Sequence, residues 1–357
     1  MPRSSVVRVD AVTLVERSAA ALRGLGAPDA SARLQAEHLV EAELRGHPSH
    51  GLRRLFVLAA RVDAGLIDPA AQPSFEWTAP SALVVDGNRG FGPVTAYLTI
   101  DMLLHRVRQT GIVAAAMRRT HHLGMLSPYL ERMAGSGCIG LVLSSTEGLV
   151  HPWGGAGALL GTNPLGIGVP AAGSPLTLDM STGAVSAGKI LDYAARGMTL
   201  PEGWAVDAEG RSTTDAARAV SGAISPFGGA KGYALGLSLG AVVGVLTGTA
   251  LGADVRGTLD AEFETTKGDV IVAIDVAVFG GSAGSPLLAD YFAQLRGSGI
   301  DGRAVTVPGD RARASRELAL ADGVDVSADV WDRVSELLAS QAVDTPGTDM
   351  RREGITP

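Results

Sequence analysis

The stretch GHPSHGLRR, Gly46 to Arg54, places two histidines, a serine and two arginines within nine residues. An imidazole titrates near neutral pH and both gives and takes a proton, so this cluster suits acid–base catalysis. In that use Ser49 or a backbone carbonyl orients a ring and His50 holds the proton. Arg54, one helical turn further on, grips a substrate carboxylate with its two-donor fork, while Arg53 faces solvent. All seven histidines, His38, His47, His50, His105, His121, His122 and His151, lie in the first 151 residues, which points to a site built there.

A metal is the competing use of such a cluster, but the spacing does not favour it. Pro48 interrupts the helix that would bring His47 and His50 to one face, and the adjacent His121 and His122 diverge on any regular backbone. With no carboxylate or cysteine at a recognisable ligand offset, no metal site is expected, and a metal-dependent hydrolase is the remote alternative. Two glycine-rich stretches, HPWGGAGALLGTNPLGIGVP and SPFGGAKGYALG, match neither a strand–GxGxxG–helix fingerprint nor a GxxxxGK[ST] phosphate loop. No GxSxG elbow supports a serine hydrolase. A glycine turn ahead of Lys231 and Gly232 at a helix start still suits a pyrophosphate, through amide donors, helix dipole and ammonium.

These groups need a scaffold, and the chain carries the material for one. Its 357 residues are 46% hydrophobic and 19% charged, a globular composition with room for two domains. A net charge of −7 without a basic run leaves no footprint for nucleic acid. The single cysteine, Cys138, forms no internal disulfide, and MPRSSVVRVDAVTL lacks the apolar core of a signal peptide, so a cytoplasmic location is expected. Periodicity predicts three helices, Ala11–Leu25, Asp29–Leu44 and Gly51–Ala64, which makes GHPSHG a junction between helices. Short β-branched runs then alternate with helices: ALVVDG, Val94–Thr110, IVAAAM, Leu126–Gly135 and CIGLVLSS, followed by GIGVP, LTLDMS and VIVAIDVAVF.

The layout is α/β, with helices again at Ser285–Leu295 and Asp310–Ala342 before a polar, frayed tail. Tyr233 to Ala253 is 21 residues without a charge, with glycine at every fourth position from Gly232 to Gly252. No flanking basic anchors or aromatic belts support a membrane span, so this stretch is predicted to be a buried helix in the centre of the protein.

The segments RGHPSHGLRRL, THHLGMLSPYLERMAGSGCIGLVLSS, LVHPWGG, LLGTNPLGIGVP, LTLDMSTGAVSAGKI, LPEGWAVDAEGRSTTD, FGGAKGYALGL and VPGD, in this order between about residues 45 and 310, resemble the malate/L-lactate dehydrogenase family of NAD(P)-dependent oxidoreductases. That family is distinct from the Rossmann-type lactate and malate dehydrogenases. The resemblance implies a mixed-sheet, non-Rossmann cofactor domain and a helical domain formed from both chain ends, with a homodimer whose site lies near the subunit interface. The expected division is 1–75 helical, 76–309 cofactor-binding and dimerisation, and 310–357 helical, packing on the N-terminal helices.

By position, His50 and Arg54 match the family's SHGxxR motif and His122 the histidine of its SNHFG motif, so His50, His122 and Asp179 are the expected catalytic groups. His122 is favoured as the proton carrier because it stands between a strand end and a helix. Ser49, Arg54, Thr120, His121 and Asn163 are expected at the substrate. Ser145, Thr146, Met180, Ser181, Thr182, Lys231, Gly232, Pro308, Gly309 and Asp310 fall in stretches that resemble the cofactor-contacting segments. The chain departs from the family at His121, Leu123, Glu147, Gly148, His151 and Gly240, which leaves substrate identity open. The implied activity is hydride transfer between NAD or NADP and C2 of a small 2-oxo acid or 2-hydroxy acid, with a cyclic 2-imino carboxylate as the alternative substrate. The implied partners are a small carboxylate and a second copy of the chain, with no nucleic acid and no membrane.

Overall fold

The computed structural model describes residues 6–284 and 286–343; the C-terminal tail read as frayed lies outside them, as does Ser285. Three helices open the chain after a short strand: β1 (Val6–Val9), then α1 (Ala11–Gly24), α2 (Asp29–Leu44) and α3 (Arg53–Asp63). Asp10 caps α1 by accepting from the Thr13 amide at 2.9 Å, one of the orphan donors of a helix start. α2 ends where Gly46 takes the left-handed conformation, φ 76°, and the His47 amide turns back to the Ala42 carbonyl at 2.8 Å.

The centre is a seven-stranded mixed sheet. Its strands are β2 (Ser74–Ala79), β3 (Ala82–Asp86), β4 (Ile112–Arg118), β5 (Cys138–Ser144), β8 (Leu165–Val169), β9 (Leu176–Met180) and β13 (Gly268–Asp275), in the spatial order β2-β3-β4-β13-β5-β8-β9. Only β3 and β4 run parallel; every other neighbouring pair is antiparallel. This is a mixed α/β fold without the doubly wound parallel sheet of a Rossmann domain. Helices α4 (Gly92–Thr110) and α5 (Ser127–Gly135) cover one face, and Leu83, Val85, Ile100, Leu103, Val113, Met117, Leu130 and Ile271 close the core there.

A smaller five-stranded sheet stands beside it, built from β6 (Gly148–Val150), β7 (Leu160–Gly161), β10 (Ala205–Val206), β11 (Ser212–Thr213) and β12 (Ala223–Ile224). With α6 (Ala187–Ala195) and α7 (Ala216–Val220) it encloses a core around Ile190, Leu200 and Ala205. Strands of two or three residues carry no readable alternation, so the sequence does not announce them.

The C-terminal part is α9 (Pro286–Gly297), α10 (Asp310–Asp322), β14 (Val324–Ser327) and α11 (Ala328–Val343). The single helical stretch expected over Asp310–Ala342 is therefore corrected. Gly323 at φ 87° ends α10, and the next four residues pair antiparallel with β1, from Val6 opposite Ser327 to Val9 opposite Val324. The two ends of the chain thus meet as a two-stranded ribbon, with α11 against α1 and α10 against α2. Arg316 reaches Glu41 at 2.6 Å across the second contact.

The glycine-striped segment forms α8 (Ala230–Thr247), which lies across β13, β4 and β5 on the sheet face opposite α4. The sequence suggested a buried helix in the centre; one face of α8 is buried and the other is exposed. Gly232, Gly236, Gly240 and Gly244 face inward, while Leu237, Val242, Val245 and Leu246 face out, with Val245 79% exposed. The stripe allows close approach: a Cβ on Gly236 would come 2.7 Å from Thr182 Oγ1, and one on Gly240 2.7 Å from Asn163 Nδ2. Leucine at 240 would push α8 off the sheet, so Gly240→Leu is expected to cost about 1–3 kcal/mol, read as a lowered midpoint in thermal or urea unfolding. An unchanged midpoint would mean that the stripe bears no packing load.

Candidate active site

Two loops bring the chemistry together. The first is the α2–α3 turn, held from beneath by Glu43, whose half-buried carboxylate accepts from the Leu52 amide at 2.7 Å. Gly51 is required there, because a side chain would overlap the Glu43 carboxylate. The second is the loop from β4 to α5, which carries Thr120 to Leu126 and rests on the start of α4. Gly92 lies so close under it that a Cβ would strike the His121 and His122 carbonyls. Where the loops meet, the rings of His50 and His122 stack with centroids 5.2 Å apart and planes 8° from parallel.

The pair is half-buried and electropositive. Burial, reinforced by Arg54, lowers the His50 pKa to about 4, and burial lowers that of His122 well below the ordinary histidine value, with Arg54 and His50 adding to it. His122 Nδ1 accepts a hydrogen bond from the Gly124 amide at 3.1 Å. The neutral ring therefore carries its proton on Nε2, and a second proton on Nδ1 would break that bond. His50 Nδ1 is buried with no hydrogen-bond partner, free to take a proton.

Arg54 stands beside them, its Nε donating to the Ser49 carbonyl at 2.9 Å and its Nη1 to the Thr258 carbonyl at 3.4 Å. Ser49 thus positions the arginine rather than a ring. Glu147, one of the positions where the chain departs from the family pattern, holds the segment above: its Oε1 accepts from the Thr258 amide at 2.6 Å, the Thr258 hydroxyl and the Leu259 amide. Arg54, His121, His122 and Thr258 line a narrow cavity of about 20 Å³, together with Gln35, His38 and Arg61. Gln35 and Arg61 were not among the expected site residues, and His38 was noted only as one of the seven N-terminal histidines. Gln35, His38 and Leu39 sit at i, i+3 and i+4 on the buried face of α2, and polar residues on such a face were the available signal.

Several expected site residues also make hydrogen bonds within the fold. Thr120 is fully buried and donates to Asp269 at 2.6 Å, beside an ion pair between Asp269 and Lys267. His121 lines the cavity but ties its Nε2 to the Leu66 carbonyl at 3.0 Å. Asn163 reaches the Gly236 carbonyl at 2.9 Å and accepts from the Thr146 amide, which latches α8 to the sheet. Asp179 Oδ2 accepts from the Leu126 amide at 2.7 Å, the Ser127 amide at 2.9 Å and the Ser127 hydroxyl at 3.0 Å, which caps α5 and makes no hydrogen bond to either histidine.

Among the expected cofactor residues, Ser145 bonds the Gly268 backbone, and Thr146 and Thr182 bond Thr162. Their hydroxyls are spent within the fold. Met180 and Ser181 lie half-buried at the end of β9. Pro308 accepts from the Thr177 amide at 3.1 Å near the start of that strand, so Pro308, Gly309 and Asp310 stand at its opposite end. Asp310 is gripped by Arg296 at 2.8 Å and by Arg313 at 2.9 Å, and Arg296 foremost holds its carboxyl far below the usual range. Lys231 is exposed in the first turn of α8, and Gly232 packs so tightly on the Phe227 carbonyl that no side chain fits. Among the described residues, no group of three His, Cys, Asp or Glu side chains is placed to hold a metal.

The sequence profile of the malate/L-lactate dehydrogenase family matches residues 9–335. A malate/(S)-sulfolactate dehydrogenase from Methanothermus fervidus is 32% identical over 317 residues, 88% of this chain and 93% of that protein. A Δ1-pyrroline-2-carboxylate reductase from Pseudomonas fluorescens is 32% identical over 88% of this chain and 93% of its own length. Among solved structures, a dehydrogenase from Sinorhizobium meliloti superposes with TM-score 0.89 at 45% identity, covering 94% of this chain and 99% of that one. The sulfolactate dehydrogenase of Methanocaldococcus jannaschii gives 0.89 at 28% identity, covering 94% and 98%.

Four imidazoles held neutral by burial make stability sensitive to acid. Burial lowers His38 and His121 to about 3 and His50 to about 4, with His122 also well below its ordinary value. Below about pH 6.5 the unfolded chain takes up protons that the folded chain does not. Stability is therefore complete above that pH and falls, by up to about 1.4 kcal/mol per pH unit for each ring, as pH drops toward 4. Thermal unfolding between pH 7.5 and 5 should show this decline, and His121→Asn should make it shallower by roughly a quarter. A midpoint flat across the range would contradict the neutral burial of these rings.

Proposed function

The chain belongs to the malate/L-lactate dehydrogenase family and is an oxidoreductase; from that premise we propose that it transfers a hydride between NAD(P)H and C2 of a small 2-oxo acid, yielding the 2-hydroxy acid. The observation that carries the reading is the stacked His50–His122 pair beside a half-buried, two-donor arginine. The residues expected at the cofactor fit an anionic dinucleotide in one respect above all. α8 starts behind two left-handed glycines, Gly228 and Gly229, with no side-chain cap, so its first amides and the Lys231 ammonium are available to phosphate. When bound, the nicotinamide supplies the hydride.

The chain's own residues do the rest. Arg54 exchanges its long bond to the Thr258 carbonyl for the substrate carboxylate and fixes C2 in place, and orientation of this kind supplies a large share of an enzyme's rate. His122, with its proton on Nε2, donates a hydrogen bond to the carbonyl oxygen and polarises it. His50 transfers the proton as negative charge builds on that oxygen. The sequence favoured His122 as the proton carrier; the Gly124 amide on its Nδ1 supports the opposite assignment. A substrate carboxylate on Arg54 also offsets the charge that depresses His50, which raises its proton affinity when it is needed. The outward apolar face of α8, around Leu237, Val245 and Leu246, supports assembly as a homodimer.

The test is a screen of 2-oxo dicarboxylic, sulfonated and simple 2-oxo acids and of cyclic 2-imino carboxylates with NADH and NADPH, followed at the nicotinamide absorbance. Turnover of the cyclic imines alone would move the assignment to an imino acid reductase, and no turnover of any would overturn it. With the preferred acid, His50→Ala is expected to lower kcat by about 10²–10⁴-fold, while His122→Asn, which keeps a donor, loses less. Arg54→Lys keeps the charge but not the fork, so kcat/KM should drop. Equal losses in Ala variants of both histidines, with His122→Asn as damaged as His122→Ala, would return the proton to His122.

A further inference from the structure

Glu147 takes no part in the chemistry proposed above, and it is one of the positions at which the chain departs from the family pattern. Its backbone is fixed on both sides. Before it, the Thr146 amide donates to Asn163 at 3.2 Å; after it, Gly148 opens β6 so close to the Ala158 carbonyl that no side chain fits. From this fixed base a single carboxylate oxygen, Oε1, takes three donors: the Thr258 amide at 2.6 Å, the Thr258 hydroxyl at 3.0 Å and the Leu259 amide at 3.0 Å. Hydrogen bonds to a carboxylate are stronger than those to a neutral acceptor, so this is a firm hold.

What it holds is a compact loop over residues 256–266, whose ends are joined. The Thr266 amide donates to the Arg256 carbonyl at 3.1 Å, and the Arg256 amide to the Thr266 hydroxyl at 2.9 Å. Gly257, at φ 80°, lies against the Phe263 and Glu264 carbonyls with no room for a side chain, as the tight neck of an Ω-loop requires. Two grips divide the loop between them. Arg61 holds the far limb by the Asp260 carbonyl at 2.5 Å and the Phe263 carbonyl at 3.0 Å. Glu147 holds the near limb, and the near limb is the one that meets the site: Gly257 and Thr258 line the narrow cavity together with Arg54 and His122. Thr258 is buried while Leu259 beside it is 46% exposed, so this limb is a wall with solvent on its outer side. Burial lowers the proton affinity of the Arg54 guanidinium and the charge of Glu147 opposes it, which sets the latch beside the group that grips the carboxylate.

We propose that Glu147 determines the chain length of the acid that the site accepts, by holding Thr258 against the cavity. The proposal rests on the reductase reading, in which Arg54 takes the carboxylate and His122 the carbonyl oxygen. Both of these residues line the cavity, so C3 of an acid held between them faces it. A volume of about 20 Å³ admits one group the size of a water or a methyl, and each further carbon meets Thr258. Besides Glu147, the Thr258 limb has its neck and the 3.4 Å bond from Arg54 to the Thr258 carbonyl, and that bond is the one the substrate carboxylate takes away. Binding therefore loosens the wall at the moment it is needed, and Glu147 is what keeps it in place. Glu147 touches no reacting atom; it is a positioning residue that acts through Thr258.

The test has a part that needs no substrate and a part that does. Deuterium exchange of the Thr258 and Leu259 amides, followed by NMR, is expected to be at least tenfold faster in Glu147→Ala than in the wild type. The Glu262 and Phe263 amides, which Asp260 accepts within the far limb, keep their rates. In turnover, kcat/KM is compared along pyruvate, 2-oxobutyrate and 2-oxovalerate, which share one charge and differ by one carbon at a time. The wild type should favour the shortest, and Glu147→Ala should narrow the ratio of pyruvate to 2-oxovalerate at least tenfold, within the range that a methylene commonly commands in an apolar pocket. Glu147→Gln keeps the shape and an accepting oxygen, so it should retain most of the discrimination, and it decides alone if the alanine variant does not fold. Exchange at the wild-type rate overturns the latch. Faster exchange with an unchanged chain-length ratio overturns its role in selecting the substrate. Absence of turnover with every acid and imine of the screen falls on the reductase reading, and the exchange rates then judge the latch by itself.

Discussion

The stacking of His50 on His122 is the contact on which the rest of the site depends, because the two rings arrive from different parts of the fold. One comes from the turn between two N-terminal helices and the other from a loop at the end of a central strand. Each is fixed by features that make sense only with the other in place: Glu43 and Gly51 under the first, Gly92 and Gly124 around the second. The junction between the helical layer and the sheet is therefore also where the proposed reaction site lies, and the two-stranded ribbon formed by the chain ends holds the helical layer together behind it.

Burying charge-bearing groups is costly, and the fold manages it differently in each case. The imidazoles stay neutral. Lys267 and Asp269, both fully buried, stay paired and add a third bond from Thr120, which anchors the strand end that leads to His122. Arg61 turns its guanidinium onto the Phe263 and Asp260 carbonyls, so it clamps the segment that covers the cavity. Arg54 keeps a long bond of 3.4 Å to the Thr258 carbonyl, the contact that the proposed reaction exchanges for the substrate carboxylate.

The glycine stripe of α8 shows a second economy. By omitting side chains every fourth residue, the helix lets the Asn163 amide reach its Gly236 carbonyl and brings Thr182 into contact, while its outer face stays apolar. A helix of this composition is uniform along its length, and only its neighbours decide which side is covered.

How much of this was legible follows from how local each signal is. The helices Ala11–Gly24 and Asp29–Leu44 and the strands of the large sheet other than β2 were readable because their periodicity and caps act within a few residues. The types at Gly46 to Arg54 likewise announced acid–base and carboxylate chemistry, and the order of segments identified the family. The two-residue strands, the β1–β14 ribbon that splits the C-terminal helix, and the exposed side of α8 were not readable, since each is set by pairing between distant segments. Nor were the hydrogen bonds by which Thr120, Asn163 and Asp179 reach the Asp269 carboxylate, the Gly236 carbonyl and the α5 amides. The sequence determined which groups were present and the local elements that carry them. The tertiary structure decided which nitrogen of His122 holds its proton, and that Glu147 reaches the loop over the cavity, because hydrogen-bond direction and burial depend on contacts from residues far away in the chain.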